Sequence, residues 1–195
     1  MSGAPPLILA STSAYRRELL GRLKVDFTCE PPGVEETVLA QELPMDRALR
    51  LAHAKAHAVS ARHGHACIIG SDQVAVLGDR VLEKPGSAAA ARAQLERLSG
   101  ASARFYTACV VLCPQGGLRL AHLDTTVVSF RALHAAEIAR YVAHDEPYEC
   151  AGGFKAERLG VALMESIESF DPTALVGLPL IWVAAALRRA GYRVP

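Results

Sequence analysis

The run Cys67-Ile68-Ile69-Gly70-Ser71-Asp72-Gln73-Val74-Ala75-Val76 constrains this chain more than any other stretch. Its two ends are apolar and β-branched, in the manner of a buried strand, but its middle holds three polar residues that a core strand does not favour. An unpaired carboxylate is costly to bury, so Asp72 is expected to face a cleft, a cation or both. The alternative is a strand end at which Asp72 caps a neighbouring turn. Arg80-Val81-Leu82-Glu83-Lys84-Pro85 follows after a short turn and puts Lys84 one hairpin away.

The use of lysine sharpens this reading. Of 21 basic residues only Lys24, Lys55, Lys84 and Lys155 are lysine; arginine supplies the ordinary surface cations. An ammonium is a compact point charge with rotatable donors, suited to phosphate oxygens in a tight pocket. Three of the four lysines lie in stretches that are unusual for other reasons: Lys55 among alanines, Lys84 beside Pro85, and Lys155 after Gly152-Gly153-Phe154.

The chain has 195 residues, 51% of them hydrophobic, which is material for one sizeable domain, or two lobes sharing a core, folding without staples. A net charge of +1 leaves no broad electrostatic footprint for nucleic acid or an anionic membrane surface, so neither partner is expected, and a polyanionic ligand should be small. The five cysteines, Cys29, Cys67, Cys109, Cys113 and Cys150, do not read as a disulfide framework or a zinc site. They are expected to be small, mostly buried apolar residues in a reducing cytoplasm. Arg16 and Arg17 come after Leu7-Ile8-Leu9 rather than before it, so no secretory leader is expected. Ala174 to Leu187 is apolar but short for a bilayer and is interrupted by Gly177 and Pro179.

Along the chain, Leu7-Ile8-Leu9-Ala10 reads as a buried strand, and Ser11-Thr12-Ser13 supplies capping chemistry for a helix over Ala14 to Leu23. A strand, a polar turn and a helix start form a geometry suited to anions, and the paired Arg16 and Arg17 favour it. Phe27 to Glu30 is a second strand; beyond Pro31-Pro32-Gly33 comes Glu35-Glu36 on an extended segment, where only one of the two carboxylates can look into a given cleft. Pro44 to about Arg62 is a helix carrying Lys55; its His53 and His57 lack the carboxylate a zinc site would add and read as a solvated face. Ser87 caps a further helix ending near Ser99-Gly100. Arg104 to Cys113 and Leu118 to Arg131 form a hairpin, Ala135 to His144 a helix, Leu159 to Ile167 a strand, and the chain closes with a helix to Arg189. Between the helix ending at His144 and the strand from Leu159, adjacent glycines Gly152-Gly153 let the backbone approach something closely while Lys155 and Glu157 present opposite charges.

Taken in order, Leu9-Ala10-Ser11-Thr12-Ser13 with Arg16-Arg17, Glu35-Glu36-Thr37, Ala54-Lys55-Ala56, Gly70-Ser71-Asp72-Gln73, Lys84-Pro85, Ala151-Gly152-Gly153-Phe154 and Val176-Gly177-Leu178-Pro179 resemble the Maf-type nucleotide pyrophosphatases. The resemblance spans nearly the whole chain. It implies a single domain over residues 1–195, with an α/β fold similar to the inosine triphosphate pyrophosphatases, in which two lobes of mixed sheet and helices surround a central cleft. It also implies a cytoplasmic homodimer that hydrolyses a nucleoside triphosphate to the monophosphate and pyrophosphate with a divalent cation, Mg2+ or Mn2+. Ser71-Asp72-Gln73 and Phe154-Lys155-Ala156-Glu157 are similar to the branch acting on 7-methyl-GTP. By that likeness Asp72 is the proton acceptor, with Lys84 and Glu36 beside it in catalysis, and Tyr15, Gln73 and Glu157 occupy specificity positions.

Elementary chemistry agrees with these roles. Glu36 and Asp72 offer the hard oxygens that Mg2+ or Mn2+ prefers, and Ser11, Ser13, Arg16, Lys55 and Lys155 supply donors for substrate phosphates. Glu157 can accept hydrogen bonds from the ring N–H and amino group of guanine, and the Tyr15 face suits a ring made cationic by methylation. The chain departs from the family pattern twice: Glu83 stands where the family usually has glycine, and Tyr15 where the 7-methyl-GTP branch often has tryptophan. Two other functions fit the same motifs: a broader pyrophosphatase acting on dTTP, UTP or ITP, and a nucleotide-binding regulator of cell division without turnover.

Overall fold

The structure is a computed structural model and describes residues 4–195. The chain divides into two compact units. One comprises the segment ending at Gln73 together with Thr107–Asp124 and Asp171–Pro195; the other comprises Val74–Tyr106 and Thr125–Phe170.

In the first unit, β1 (Leu7–Ala10) is buried along its whole length and pairs in parallel with β2 (Thr28–Cys29) on one side and β3 (Cys67–Leu77) on the other. A parallel strand covered on both faces is continuously apolar, which is what Leu7-Ile8-Leu9-Ala10 supplies. Alternation then sorts the side chains. Leu7, Leu9, Cys67 and Ile69 join one core with Cys109 and Val111 of β5 (Ser102–Cys113), under α1 (Ala14–Gly21) and α5 (Leu180–Arg189). The opposite face of β3 carries Gly70 against α2 (Pro44–Ser60), where an added Cβ would lie 2.5 Å from the Ala52 carbonyl oxygen and 2.7 Å from the Ala56 nitrogen. Only glycine admits the helix this close. Lys55 sits beside Ala56 on that helix and Asp72 is two residues along that strand face, so this close approach is what brings the two side chains together.

In the second unit, β4 (Arg80–Leu82) pairs antiparallel with the end of β3, and β7 (Met164–Glu168) pairs antiparallel with the end of β6 (Leu118–Phe130). Helices α3 (Ala88–Leu98) and α4 (Ala135–Asp145) pack on each other. Ser87 caps α3 by accepting the Ala90 N–H. Phe154 meets Phe105 and Phe130 edge-on, with centroids 5.5 and 5.2 Å apart. The strand order is β2-β1-β3-β5-β6-β7, with β4 on β3, which makes a seven-stranded mixed sheet; β3, β5 and β6 each contribute residues to both units.

Two expectations need correction. Leu159–Leu163 is a short 3-10 turn and only Met164–Glu168 is strand. Leu159, Val161 and Leu163 alternate as a strand would, but Leu159 and Val161 are exposed, and at Gly160 the chain folds so tightly on Lys155 that a Cβ would lie 2.4 Å from the Lys155 carbonyl oxygen. Cys67 and Cys113 are buried as small apolar residues should be, yet they are joined in a disulfide with Cα atoms 4.2 Å apart. Their sequence separation of 46 residues carries no signal, because the neighbouring positions of β3 and β5 in the sheet create the pairing. Cys29 and Cys109 remain thiols. Among the described residues, no helix is long and apolar enough to cross a membrane.

Candidate active site

The strand–turn–helix at the amino end forms as expected. The Ser11 hydroxyl accepts the Ser13 N–H at 3.1 Å, and Ser13 caps α1 by accepting the Arg16 N–H at 3.3 Å. Arg16 and Arg17 then diverge: Arg17 is exposed, whereas Arg16 turns inward and donates its Nε to the Gly177 carbonyl at 2.9 Å. Gly177 holds φ +118, a conformation that favours glycine, and a Cβ there would press on Arg16 Nε at 3.3 Å.

β3 continues without a break through Ser71-Asp72-Gln73, so Asp72 lies mid-strand and does not cap a turn. Asp72 is 5% exposed and Lys55 6% exposed. The Lys55 ammonium donates to Asp72 Oδ1 at 2.5 Å and lies 2.6 Å from Glu36 Oε1. A buried charge requires such a partner; the lysine that interrupts the alanines of α2 is that partner. Burial pushes the Asp72 carboxyl above its ordinary range, and the Lys55 and Arg16 charges pull it back only in part. Burial lowers Arg16 as well, opposed first by Asp72. Glu36, half-exposed, is the member of the Glu35-Glu36 pair that reaches Lys55.

Ser71 and Gln73 point to the other side of the strand from Asp72. The Ser71 hydroxyl lies 2.8 Å from the Ala108 carbonyl and 2.9 Å from that of Gly177. Gln73 Nε2 lies 2.8 Å from Thr107 Oγ1, 3.0 Å from the Leu175 carbonyl and 3.1 Å from that of Ala174, so its two N–H groups are shared among three acceptors. Carbonyls only accept, so the amide nitrogen must face them and Oε1 is turned away from them. Tyr15 is half-buried in the first turn of α1.

The first unit therefore gathers Ser11, Ser13, Arg16, Glu36, Lys55 and Asp72, with Gln73 adjoining. Tyr15 belongs to the same unit, and the other expected residues, Lys84, Lys155 and Glu157, belong to the second. Lys84 is exposed, with its ammonium 4.0 Å from Glu149 Oε2. Lys155 donates its ammonium to the Asp145 carbonyl at 2.6 Å and its backbone N–H to the Tyr141 hydroxyl at 2.8 Å, so it also closes the carboxyl end of α4. Glu157 is exposed.

Among the described residues no three or more His, Cys, Asp or Glu side chains converge. His53 and His57 stack with centroids 6.2 Å apart and gather no third ligand. A cation at this site would have two carboxylates to draw on, Asp72 and Glu36, the pair that meets at the Lys55 ammonium. That set fits Mg2+ or Mn2+, which take one or two carboxylates and complete their shells with water and phosphate oxygens.

Sequence reasoning assigned no role to Ser71, Thr107, Ala174 or Gly177. The one signal that could have found part of this group is a Ser and a Thr placed at inward positions of otherwise apolar strands.

Comparison with known proteins gives a consistent result. The sequence model of the Maf-like protein family matches residues 6–190. A protein of Xanthomonas campestris pv. campestris named 7-methyl-GTP pyrophosphatase is 54% identical over 191 residues, covering 98% of this chain and 99% of that one. One of the same name from Albidiferax ferrireducens is 48% identical over 188 residues, covering 96% and 94%. Among solved structures, a HAM1 protein from Coxiella burnetii superposes with a TM-score of 0.50 at 14% identity, over 95% of this chain and 99% of the other, a likeness of fold alone.

Proposed function

The chain belongs to the Maf-like protein family, and from that premise we propose that it is a nucleoside triphosphate pyrophosphatase whose preferred substrate is 7-methyl-GTP. The observation that carries this reading is the buried Lys55 ammonium held between the Asp72 and Glu36 carboxylates, beside a strand–turn–helix that turns Arg16 inward. Its relatives' shared name supports the choice of base.

Cleavage between the α- and β-phosphates needs a water deprotonated near the α-phosphorus and compensation for the charge that develops on the leaving pyrophosphate. In this reading Asp72 takes that proton. Its raised pKa makes it a better base than an ordinary carboxylate, and Lys55 sets its orientation. Arg16 and Lys55 bind phosphate oxygens, helped by Ser11 and Ser13. Lys84 and Lys155 are the further cations this reading assigns to the phosphates. A divalent cation, Mg2+ or Mn2+, held by Glu36 and Asp72 would offset phosphate charge. Gln73 Oε1 and Glu157 accept from the base, and the Tyr15 face favours a cationic ring by about 0.5 to 2 kcal/mol. We place the active protein in the cytoplasm as a homodimer; sedimentation of the purified chain checks the second point.

The test is turnover of 7-methyl-GTP, GTP, dTTP, UTP and ITP with Mg2+ or Mn2+, with pyrophosphate and phosphate distinguished. Pyrophosphate released selectively from 7-methyl-GTP, and lost in Asp72→Asn, is the expected result. Preference for UTP, dTTP or ITP would overturn the base assignment, and binding without turnover would make the chain a sensor.

A further inference from the structure

We propose that the loop from Asp171 to Ile181 is the positioning device for Arg16, with Ser71 as its anchor on β3. The inference rests on the reading of Arg16 as a phosphate-binding residue. The Gly177 carbonyl carries the argument, because it takes the Arg16 Nε at 2.9 Å and also faces the Ser71 hydroxyl at 2.9 Å. A guanidinium is a rigid planar fork, so fixing Nε fixes the directions of both terminal nitrogens. Among the described residues those two nitrogens have no hydrogen-bond partner, which is the state required of a group that waits for two phosphate oxygens.

The loop is built to hold that carbonyl still. Asp171 is 3% exposed. Its Oδ1 accepts the Thr173 N–H at 3.0 Å and lies 2.7 Å from the Thr173 hydroxyl, and its Oδ2 accepts the Ile181 N–H at 2.7 Å. The Thr173 hydroxyl accepts the Leu180 N–H and faces the Leu178 carbonyl, both at 2.8 Å. The ends of the loop are thus tied across its base, and the carbonyls of Ala174, Leu175 and Gly177 are turned out. The first two fasten to Thr107 and Gln73, and the third meets Ser71 and Arg16. Ser71 is fully buried, and its one O–H lies between the Gly177 carbonyl and Ala108 O of β5, donating to either, so a single hydroxyl holds the loop against both strands. Ser71 and Asp171 are accordingly positioning residues, not ligands of the substrate.

A double-mutant cycle tests this. Affinity for inorganic tripolyphosphate is measured by calorimetry, and kcat and KM for 7-methyl-GTP by pyrophosphate release, in the wild type, Ser71→Ala, Arg16→Ala and the double variant, with thermal midpoints recorded. Loss of one hydrogen bond predicts a fall of about fivefold in tripolyphosphate affinity in Ser71→Ala, with KM rising more than kcat falls. In the Arg16→Ala background the same change should shift affinity less than about twofold, since the group it positions is gone. Equal losses in both backgrounds would overturn the inference and leave Ser71 a general support. Thr173→Val, which removes the hydroxyl's three ties at the base of the loop, should couple to Arg16→Ala in the same way. Failure of the wild type to bind tripolyphosphate overturns the inference too. Coupling seen in binding without any turnover would keep it and sink the enzymatic reading instead.

Discussion

Asp72 can stay buried in β3 only because Lys55 reaches it, and at this scale the pair is the most sensitive point of the chain. Lys55→Met leaves the Asp72 charge without its closest partner and should destabilise by about 3–5 kcal/mol. Adding Asp72→Asn to that variant should return part of the loss; urea unfolding of the two variants measures both, and equal midpoints would refute the pairing argument. Gly70→Ala drives a methyl into the α2 backbone, where the nearest atom is 2.5 Å away. It should cost roughly 1–3 kcal/mol or more and lower kcat as α2 carries Lys55 away from Asp72. Asp72, Lys55 and Arg16 were legible beforehand because each breaks a local pattern: an acid inside an apolar strand, a lysine among alanines, doubled arginines after a cap; Glu36 was separated from Glu35 only by the family resemblance. The roles of Ser71 and Gly177 were not: Ser71 stood out only as one of three polar residues in an apolar strand, and a glycine two residues before a proline is locally unremarkable. Their use appears only when residues 106 positions apart meet.

At the scale of elements, the helices were readable from their caps and apolar spacing, with boundaries falling within one or two residues for α2 and α3. The turn at Leu159–Leu163 was not, because its alternation imitates a strand while the tight fold at Gly160 decides its geometry. The start of α4 shows how a cap becomes a pH effect. Glu137 accepts the His134 N–H at 2.9 Å and pairs with Arg131 at 2.9 Å, and the Arg131 hydrogen bond chiefly holds its pKa down, from 4.5 to about 2. A depressed folded pKa means that the unfolded chain binds the proton more readily. The stabilisation is therefore complete above about 4.5 and drains away as pH falls towards about 2. The thermal midpoint of Glu137→Gln should accordingly lie below that of the wild type at pH 7, and the gap should close on acidification through that window. A gap that widened instead would show that Glu137 is not the capping charge.

For the whole molecule the informative fact is the route of the chain. It leaves the first unit after Gln73 and returns at Thr107, so the residues between belong to the second unit. Motifs scattered along 195 residues were legible as one ordered set by their resemblance to a family and not by this route, since of the strands on which the chain crosses between units only β3 carries one of them. What no reading of spacing supplied is that Cys67 and Cys113 close the excursion at its root, a loop of 46 residues spanned by one disulfide. A cross-link of that loop length restricts the unfolded chain and should contribute about 4 kcal/mol of stability by chain entropy. For a chain of this size that corresponds to roughly 10 °C in thermal midpoint. Melting the protein with and without a dithiol reductant measures it directly, provided the reductant is given time to reach sulfurs that are almost fully buried. The Cys67→Ala/Cys113→Ala variant supplies the control, because its midpoint must not respond to reductant at all. A wild type equally indifferent to reductant, with both thiols titrating after denaturation, would mean that the two cysteines serve only as the apolar core residues their sequence context describes. A midpoint that falls on reduction, with turnover retained at low temperature, would instead place the disulfide in the stability of the first unit and outside its chemistry.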